Sequence, residues 1–139
     1  MEKAFVKVEN VMQTSLHMIS GLATVMDAIQ EMRKHNVSSL VIEPRHEGDE
    51  YGVVTVIEIA SHAVSENRSL ERTNVYEIMN KPTLTLDPKM NIKYGIRLLA
   101  QLGLRRALVA SETRLLGFVT MRDMVLGYAD LEAHIDRPT

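Results

Sequence analysis

The feature that most limits what this chain can fold into is an internal repeat. Val11-Met12 is echoed by Ile78-Met79, 67 residues further on. The same shift carries Val25 onto Ile92, Ile29 onto Ile96, Met32 onto Leu99 and Val37 onto Leu104. It also carries Asn36 onto Gly103, the two residue types that best tolerate a left-handed helix end. Inside a polar loop the register slips by two residues. After it, Gly52-Val53-Val54-Thr55-Val56-Ile57-Glu58-Ile59 matches Gly117-Phe118-Val119-Thr120-Met121-Arg122-Asp123-Met124 at a shift of 65. Residue class and punctuation agree although few identities do, and a duplication is the reading that accounts for both.

Each copy predicts the same elements. A short extended stretch (Leu16–Ile19; Thr83–Leu86) is followed by a turn, marked in the second copy by Asp87-Pro88. An amphipathic helix comes next. Val25, Ala28, Ile29 and Met32 stand at i, i+3, i+4 and i+7, with Thr24 and Asp27 spaced as a capping box. Ile92, Ile96, Leu99 and Leu102 form the matching face, with Asn91 placed to cap. Two apolar strands follow, Ser39–Ile42 with Gly52–Thr55 and Ala107–Ala110 with Leu115–Thr120, joined by polar loops at Pro44–Glu50 and Ser111–Arg114. A second helix begins after Thr55 and after Thr120, the latter continuing through Val125–His134 to a frayed Arg137-Pro138-Thr139. The fold class is therefore α/β, with the order β-α-β-β-α occurring twice. The expected organisation is repeat 1 over 1–65, a connector over 66–74 and repeat 2 over 75–139. At about 50–60 residues each, the copies are expected to pack together and share a core.

Composition removes whole classes of function. Without cysteine there is no disulfide framework, thiolate metal site or Cys nucleophile. A formal net charge of −2 and six aromatics (4 Tyr, 2 Phe) disfavour a nucleic-acid surface. Apolar runs fall far short of the roughly 20 residues that span a bilayer, and MEKAFVKVEN has no secretory apolar region. We therefore expect a soluble cytoplasmic protein with no nucleic-acid or membrane partner. Charge is uneven: residues 1–70 carry 6 basic and 10 acidic side chains, residues 71–139 carry 10 and 8. A small anion is better received by the second half.

The motifs resemble a known family. Val-x-x-Val-Met at Val8–Met12, the helix opening at Thr24-Val25, Val37-Ser38-Ser39-Leu40-Val41-Ile42 and Gly52-Val53-Val54-Thr55-x-x-Glu58 look like a CBS domain, the cystathionine-β-synthase-type repeat. Val75-Tyr76-Glu77-Ile78-Met79 through Gly117-Phe118-Val119-Thr120-x-x-Asp123 looks like a second. The resemblance covers about residues 8–128. It implies a Bateman module, two β-α-β-β-α units related by a pseudo-twofold axis, often a homodimer. Clefts between the repeats are implied to take an adenosine-containing ligand: AMP, ADP, ATP, S-adenosylmethionine or a dinucleotide. A regulatory role is implied, exerted on an unidentified effector protein or through the dimer, and no enzyme activity.

By that resemblance Thr120 contacts phosphate or ribose, Asp123 the ribose hydroxyls, and Thr83 to Thr85 flank the adenine. Chemistry offers independent reasons. Thr120 stands where a strand becomes a helix, so its hydroxyl and the first free N–H groups converge on one spot that favours negative charge. A carboxylate three residues on can accept both hydrogens of a diol. Gly117, lacking a Cβ, lets a backbone or a flat ligand approach closely. Arg105 and Arg106 precede the inner strand of copy two, where a guanidinium could clasp phosphate. Thr55, Glu58, Ser38 and Ser39 make a second candidate site, uncharged in place of the arginines and with Glu one methylene longer than Asp. Thr-x-x-Asp and Thr-x-x-Glu are equally the spacing of an ordinary capping box, and the residues alone admit either reading.

Other chemistries find less support. His17, His35, His46, His62 and His134 are scattered singly, outside any metal-ligand spacing. His46 with Glu47, Asp49 and Glu50 reads as an exposed charged loop, and His17 as a surface or packing residue. No Gly-x-Ser-x-Gly, Gly-x-Gly-x-x-Gly or Walker A run occurs. Met12, Met26, Met32 and Met79 fall on presumed core faces. Three readings remain: an adenosine-ligand sensor, a scaffold that acts through dimerisation alone, and, least favoured, a small enzyme.

Overall fold

The computed structural model describes residues 5–81, 83–112 and 114–136. The chain divides into two compact units. One joins Met1–Ser15 to Leu84–Thr139; the other is Leu16–Thr83. Sequence repeats and spatial units thus do not coincide, because the segment that opens each repeat packs on the other repeat's sheet.

In the Leu16–Thr83 unit, β1 (Met18–Ile19) pairs parallel with β2 (Ser39–Ile42), which pairs antiparallel with β3 (Gly52–Thr55). Helix α2 (Val25–His35) connects the first two strands. The Thr24 hydroxyl accepts the Asp27 N–H at 3.0 Å, and the Asp27 carboxylate accepts the Thr24 N–H at 3.0 Å. The helix ends on Asn36 at φ 53°, in the left-handed region. Helix α3 (Val56–Ile59) runs into one π-helical turn, Ala60–Val64.

The other unit repeats this plan. β4 (Thr85–Leu86) pairs parallel with β5 (Arg106–Ala110), and β5 antiparallel with β6 (Leu115–Thr120). Helix α4 (Ile92–Leu102) is capped by the Asn91 side chain, which accepts the Lys93 N–H at 2.9 Å, and ends on Gly103 at φ 67°. Helix α5 (Met121–Asp136) follows β6, and the short helix α1 (Val8–Val11) packs in the same unit. The expected helices, caps and strands are present, and β5 begins one residue earlier than the spacing suggests. The expected frayed residues 137–139 lie outside the described residues.

Most of the buried apolar side chains of the described residues gather in two clusters, one in each unit. Val25, Met32, Leu40, Val54, Val75 and Ile78 belong to the first; Val8, Leu86, Ile92, Leu99, Val119 and Met124 to the second. The exchanged segments explain how each repeat closes a core of its own. Val75 and Ile78 enter the first cluster, Val8 the second, and each supplies apolar area that the repeat's own elements lack.

The exchange is reciprocal down to single hydrogen bonds. The Val8 N–H donates to Met90 O at 2.8 Å, and its counterpart 67 residues on, the Val75 N–H, donates to Ala23 O at 2.8 Å. Ile92 N–H, a free donor in the first turn of α4, is satisfied by Val6 O at 2.9 Å; Val25 N–H of α2 is satisfied by Thr73 O at 2.8 Å. Residues 66–74 are therefore more than a tether: Thr73 is buried, and Leu70 O takes a further helix N–H, that of Met26, at 2.9 Å.

Candidate functional site

At the β6–α5 junction Thr120 and Asp123 form a capping box. The Asp123 N–H donates to Thr120 Oγ1 at 3.0 Å, and the Thr120 N–H donates to Asp123 Oδ2 at 3.2 Å. Both side chains are half-buried. A second donor reaches the same oxygen from the N-terminal segment: Gln13 Nε2 lies 3.1 Å from Asp123 Oδ2. β5–β6 register sets Arg106 directly across from Thr120. Arg105 is exposed and its carbonyl accepts the Met121 N–H at 2.8 Å, satisfying a free donor in the first turn of α5. Thus Thr120, Asp123, Arg105 and Arg106 are brought to one end of one sheet. Thr85 stands exposed on β4, paired with Leu108, while Thr83 ends the other unit.

Gly117 settles between the two approaches that a missing Cβ would permit. A Cβ there would stand 2.3 Å from Gln13 O. The close neighbour is the chain's own backbone: Gln13 and Phe118 exchange hydrogen bonds of 2.8 and 2.9 Å in an isolated antiparallel bridge. In the other unit Gly52 lies under Met79 and Asn80, and Val53 bridges Asn80.

The first-repeat counterpart has the same plan with a different result. Ser39 is opposite Thr55 in register, and Ser38 O accepts the Val56 N–H at 3.1 Å. Glu58 is only 7% exposed. The Thr55 hydroxyl donates to its Oε2 at 2.5 Å and Asn80 Nδ2 donates to its Oε1 at 2.9 Å. Both carboxylate oxygens are thus engaged by the unit's own side chains. Here the Thr55 hydroxyl donates its proton to the carboxylate while accepting the Ile57 N–H at 3.2 Å, whereas the Thr120 hydroxyl accepts the Asp123 N–H.

Gln13 and Asn80 are the site residues that sequence reasoning missed. The signal was available, since a shift of 67 superposes them and a shift of 65 superposes their carboxylate partners. Also unforeseen, the His17 and His35 rings stack at 4.1 Å and 20°. In the loop after β2, Asp49 is bound by Lys81 Nζ at 2.7 Å and by the Arg45 N–H at 2.8 Å. These bonds, Lys81 first, hold its carboxyl far below the usual carboxylate range. Among the described residues no helix is long and apolar enough to cross a membrane.

Comparison with known proteins agrees with this fold. The CBS-domain family model matches residues 8–65 and again 75–130. The chain is similar to the uncharacterized protein MK0525 of Methanopyrus kandleri, at 28% identity over 108 residues, covering 76% of this chain and 54% of that one. It therefore spans about half the length of that relative. Among solved structures, the hexameric CBS-CP12 protein from bloom-forming cyanobacteria superposes with a TM-score of 0.84 at 34% identity, covering 91% of this chain and 73% of that one. The CBS domain pair of protein MJ0100, solved in complex with 5′-methylthioadenosine and S-adenosyl-L-methionine, superposes with a TM-score of 0.77 at 19% identity, covering 92% and 99%. Two like units, two family matches and the shared fold lead to one conclusion: the chain belongs to the CBS-domain family, as a tandem pair.

Proposed function

We propose that this CBS pair is a non-enzymatic regulatory module that takes one adenosine-containing ligand per chain, at the second repeat. The observation that carries this reading is the contrast between two equivalent carboxylates. Asp123 is half-buried, and its two hydrogen bonds among the described residues fall on Oδ2. Glu58 is buried, with both oxygens engaged. A ribose diol needs two acceptor positions on a carboxylate: at Asp123 this calls on Oδ1 and on an Oδ2 whose Gln13 donor is exposed, whereas at Glu58 both oxygens are engaged and the carboxylate is buried. Arg105 and Arg106 favour a phosphate-bearing ligand such as AMP, ADP or ATP. The methylthioadenosine and S-adenosylmethionine bound by the MJ0100 pair support the wider adenosine class.

Occupancy would be passed to a separate effector protein or through a homodimer in the cytoplasm. Exposed apolar side chains on α3 (Val56, Ile57) and on α5 (Val125, Leu126) provide surface for association with a second copy. Thr55, Glu58, Ser38 and Ser39 take a structural role in this reading. The test is a thermal-shift panel with AMP, ADP, ATP and S-adenosylmethionine on the wild type and Asp123→Ala. A ligand at 100 times its Kd adds about 2.7 kcal/mol to stability. A shift lost in Asp123→Ala is expected. No shift with any compound overturns the sensor and leaves dimerisation alone as the function.

A further inference from the structure

The two carboxylates share a partner type that capping does not require. Gln13 Nε2 donates to Asp123 at 3.1 Å and Asn80 Nδ2 donates to Glu58 at 2.9 Å. Side-chain lengths compensate across the pairs: the longer amide meets the shorter acid, and the shorter amide meets the longer acid. Each pair therefore spans the same number of methylenes between two backbones held by equivalent bridges, Gln13 with Phe118 and Asn80 with Val53. Two independent changes of length that cancel indicate that the amide–carboxylate contact is itself a device of both repeats. The two differ in accessibility. The difference lies in the carboxylates: both amide residues, Gln13 and Asn80, are exposed, but Glu58 is buried and Asp123 only half-buried.

We infer that Gln13 is an internal competitor for the ligand at Asp123, and that occupancy loosens the N-terminal segment 6–13 from β6. This inference rests on the ligand reading above. A ribose diol that engages both carboxylate oxygens would meet the Gln13 amide at Asp123 Oδ2. A ligand that takes it strips the side-chain latch, leaving the segment its two bridge hydrogen bonds to Phe118 and the contacts of α1. Loosening would extend to the Val6 carbonyl, which satisfies the Ile92 N–H at the start of α4. Asn80 has no equivalent freedom, since its release would leave a buried carboxylate short of a partner. The N-terminal segment is thus the moving part, and the segment around Asn80 the fixed one.

Amide hydrogen exchange by NMR on the full chain tests this, using wild type, Gln13→Ala and AMP as the probe. Without nucleotide, Gln13→Ala should speed exchange at the Phe118 N–H about two- to fivefold, the size of one weak, solvent-exposed hydrogen bond. With AMP, wild type should show faster exchange at Phe118 and Gln13, and Gln13→Ala should bind AMP about two- to fivefold more tightly because no internal donor has to be displaced. Unchanged exchange in Gln13→Ala overturns the latch whatever AMP does. Weaker AMP binding by Gln13→Ala makes Gln13 a ligand contact and overturns the competition while sparing the ligand reading. Failure of AMP, ADP, ATP and S-adenosylmethionine alike to bind either protein overturns both.

Discussion

Replacing Gly117 by alanine tests whether the N-terminal segment really closes against β6. The added methyl would stand 2.3 Å from Gln13 O, far inside van der Waals contact, and the obstacle is backbone rather than a side chain that can rotate. Overpacking of this kind costs about 1–3 kcal/mol. If the segment moves away instead, the bridge bonds of 2.8 and 2.9 Å between Gln13 and Phe118 are lost, at about 1 kcal/mol each. Either route gives a loss of about 1–3 kcal/mol. Urea unfolding followed by circular dichroism measures it, with Gly21→Ala as the comparison. The nearest atoms to a Cβ at Gly21, in Ile42 and Tyr76, lie at 3.5 Å, an ordinary contact, so that substitution should cost well under about 1 kcal/mol. A Gly117→Ala protein within about 0.5 kcal/mol of wild type would refute the close approach and return Gly117 to the role of ligand clearance.

Local signals permit further expectations. Thr24→Ala removes the acceptor of the Asp27 N–H and should cost about 1 kcal/mol in the same unfolding assay. Asn36→Ala places a Cβ-bearing residue without a helpful side chain at φ 53° and should cost about 1 kcal/mol, while Asn36→Gly should be close to neutral. Glu58→Ala strips the partners of Thr55 and Asn80 in a buried place and should destabilise by about 1–3 kcal/mol, more than Asp123→Ala, which spoils a half-exposed cap. Two carboxyls titrate below their ordinary range: Asp49 by Lys81 and the Arg45 N–H, and Glu77 by the Asn74 N–H and then Arg68. The unfolded chain binds protons at these groups before the folded one does. Their contribution is therefore complete above the ordinary carboxylate range near pH 4 and is lost as pH falls below it. Lys81→Met should flatten the acid limb of a stability-versus-pH curve; an unchanged limb would show that Asp49 does not depend on Lys81.

What the sequence disclosed and what it withheld differ by range. Thr24, Asp27, Asn91, Asn36 and Gly103 act within a turn of their own positions, so their caps and left-handed helix ends are readable from spacing. The strands Gly52–Thr55 and Leu115–Thr120 are readable for the same reason, each being an apolar run closed by the residue that starts the next helix. Spacing could not decide that the opening segment of each repeat packs on the other. That choice is made by contacts such as Val8 to Met90 and Gln13 to Phe118, separated by most of the chain. The meaning of Gly117 and Gly52 followed that choice, since their neighbours belong to the exchanged segments. The difference between Asp123 and Glu58 was likewise hidden. One methylene is visible in a sequence; that it turns a half-exposed cap into a buried, doubly bonded carboxylate is visible only once Asn80 and Thr55 are in place.

The central claim is one ligand site per chain, built on Asp123 and not on Glu58. Native mass spectrometry of the protein with AMP or S-adenosylmethionine counts the bound molecules directly, on wild type, Asp123→Ala and Glu58→Gln. One adenosine ligand per chain is expected in wild type and in Glu58→Gln, and none in Asp123→Ala. Two per chain, or one that survives Asp123→Ala, would contradict the account.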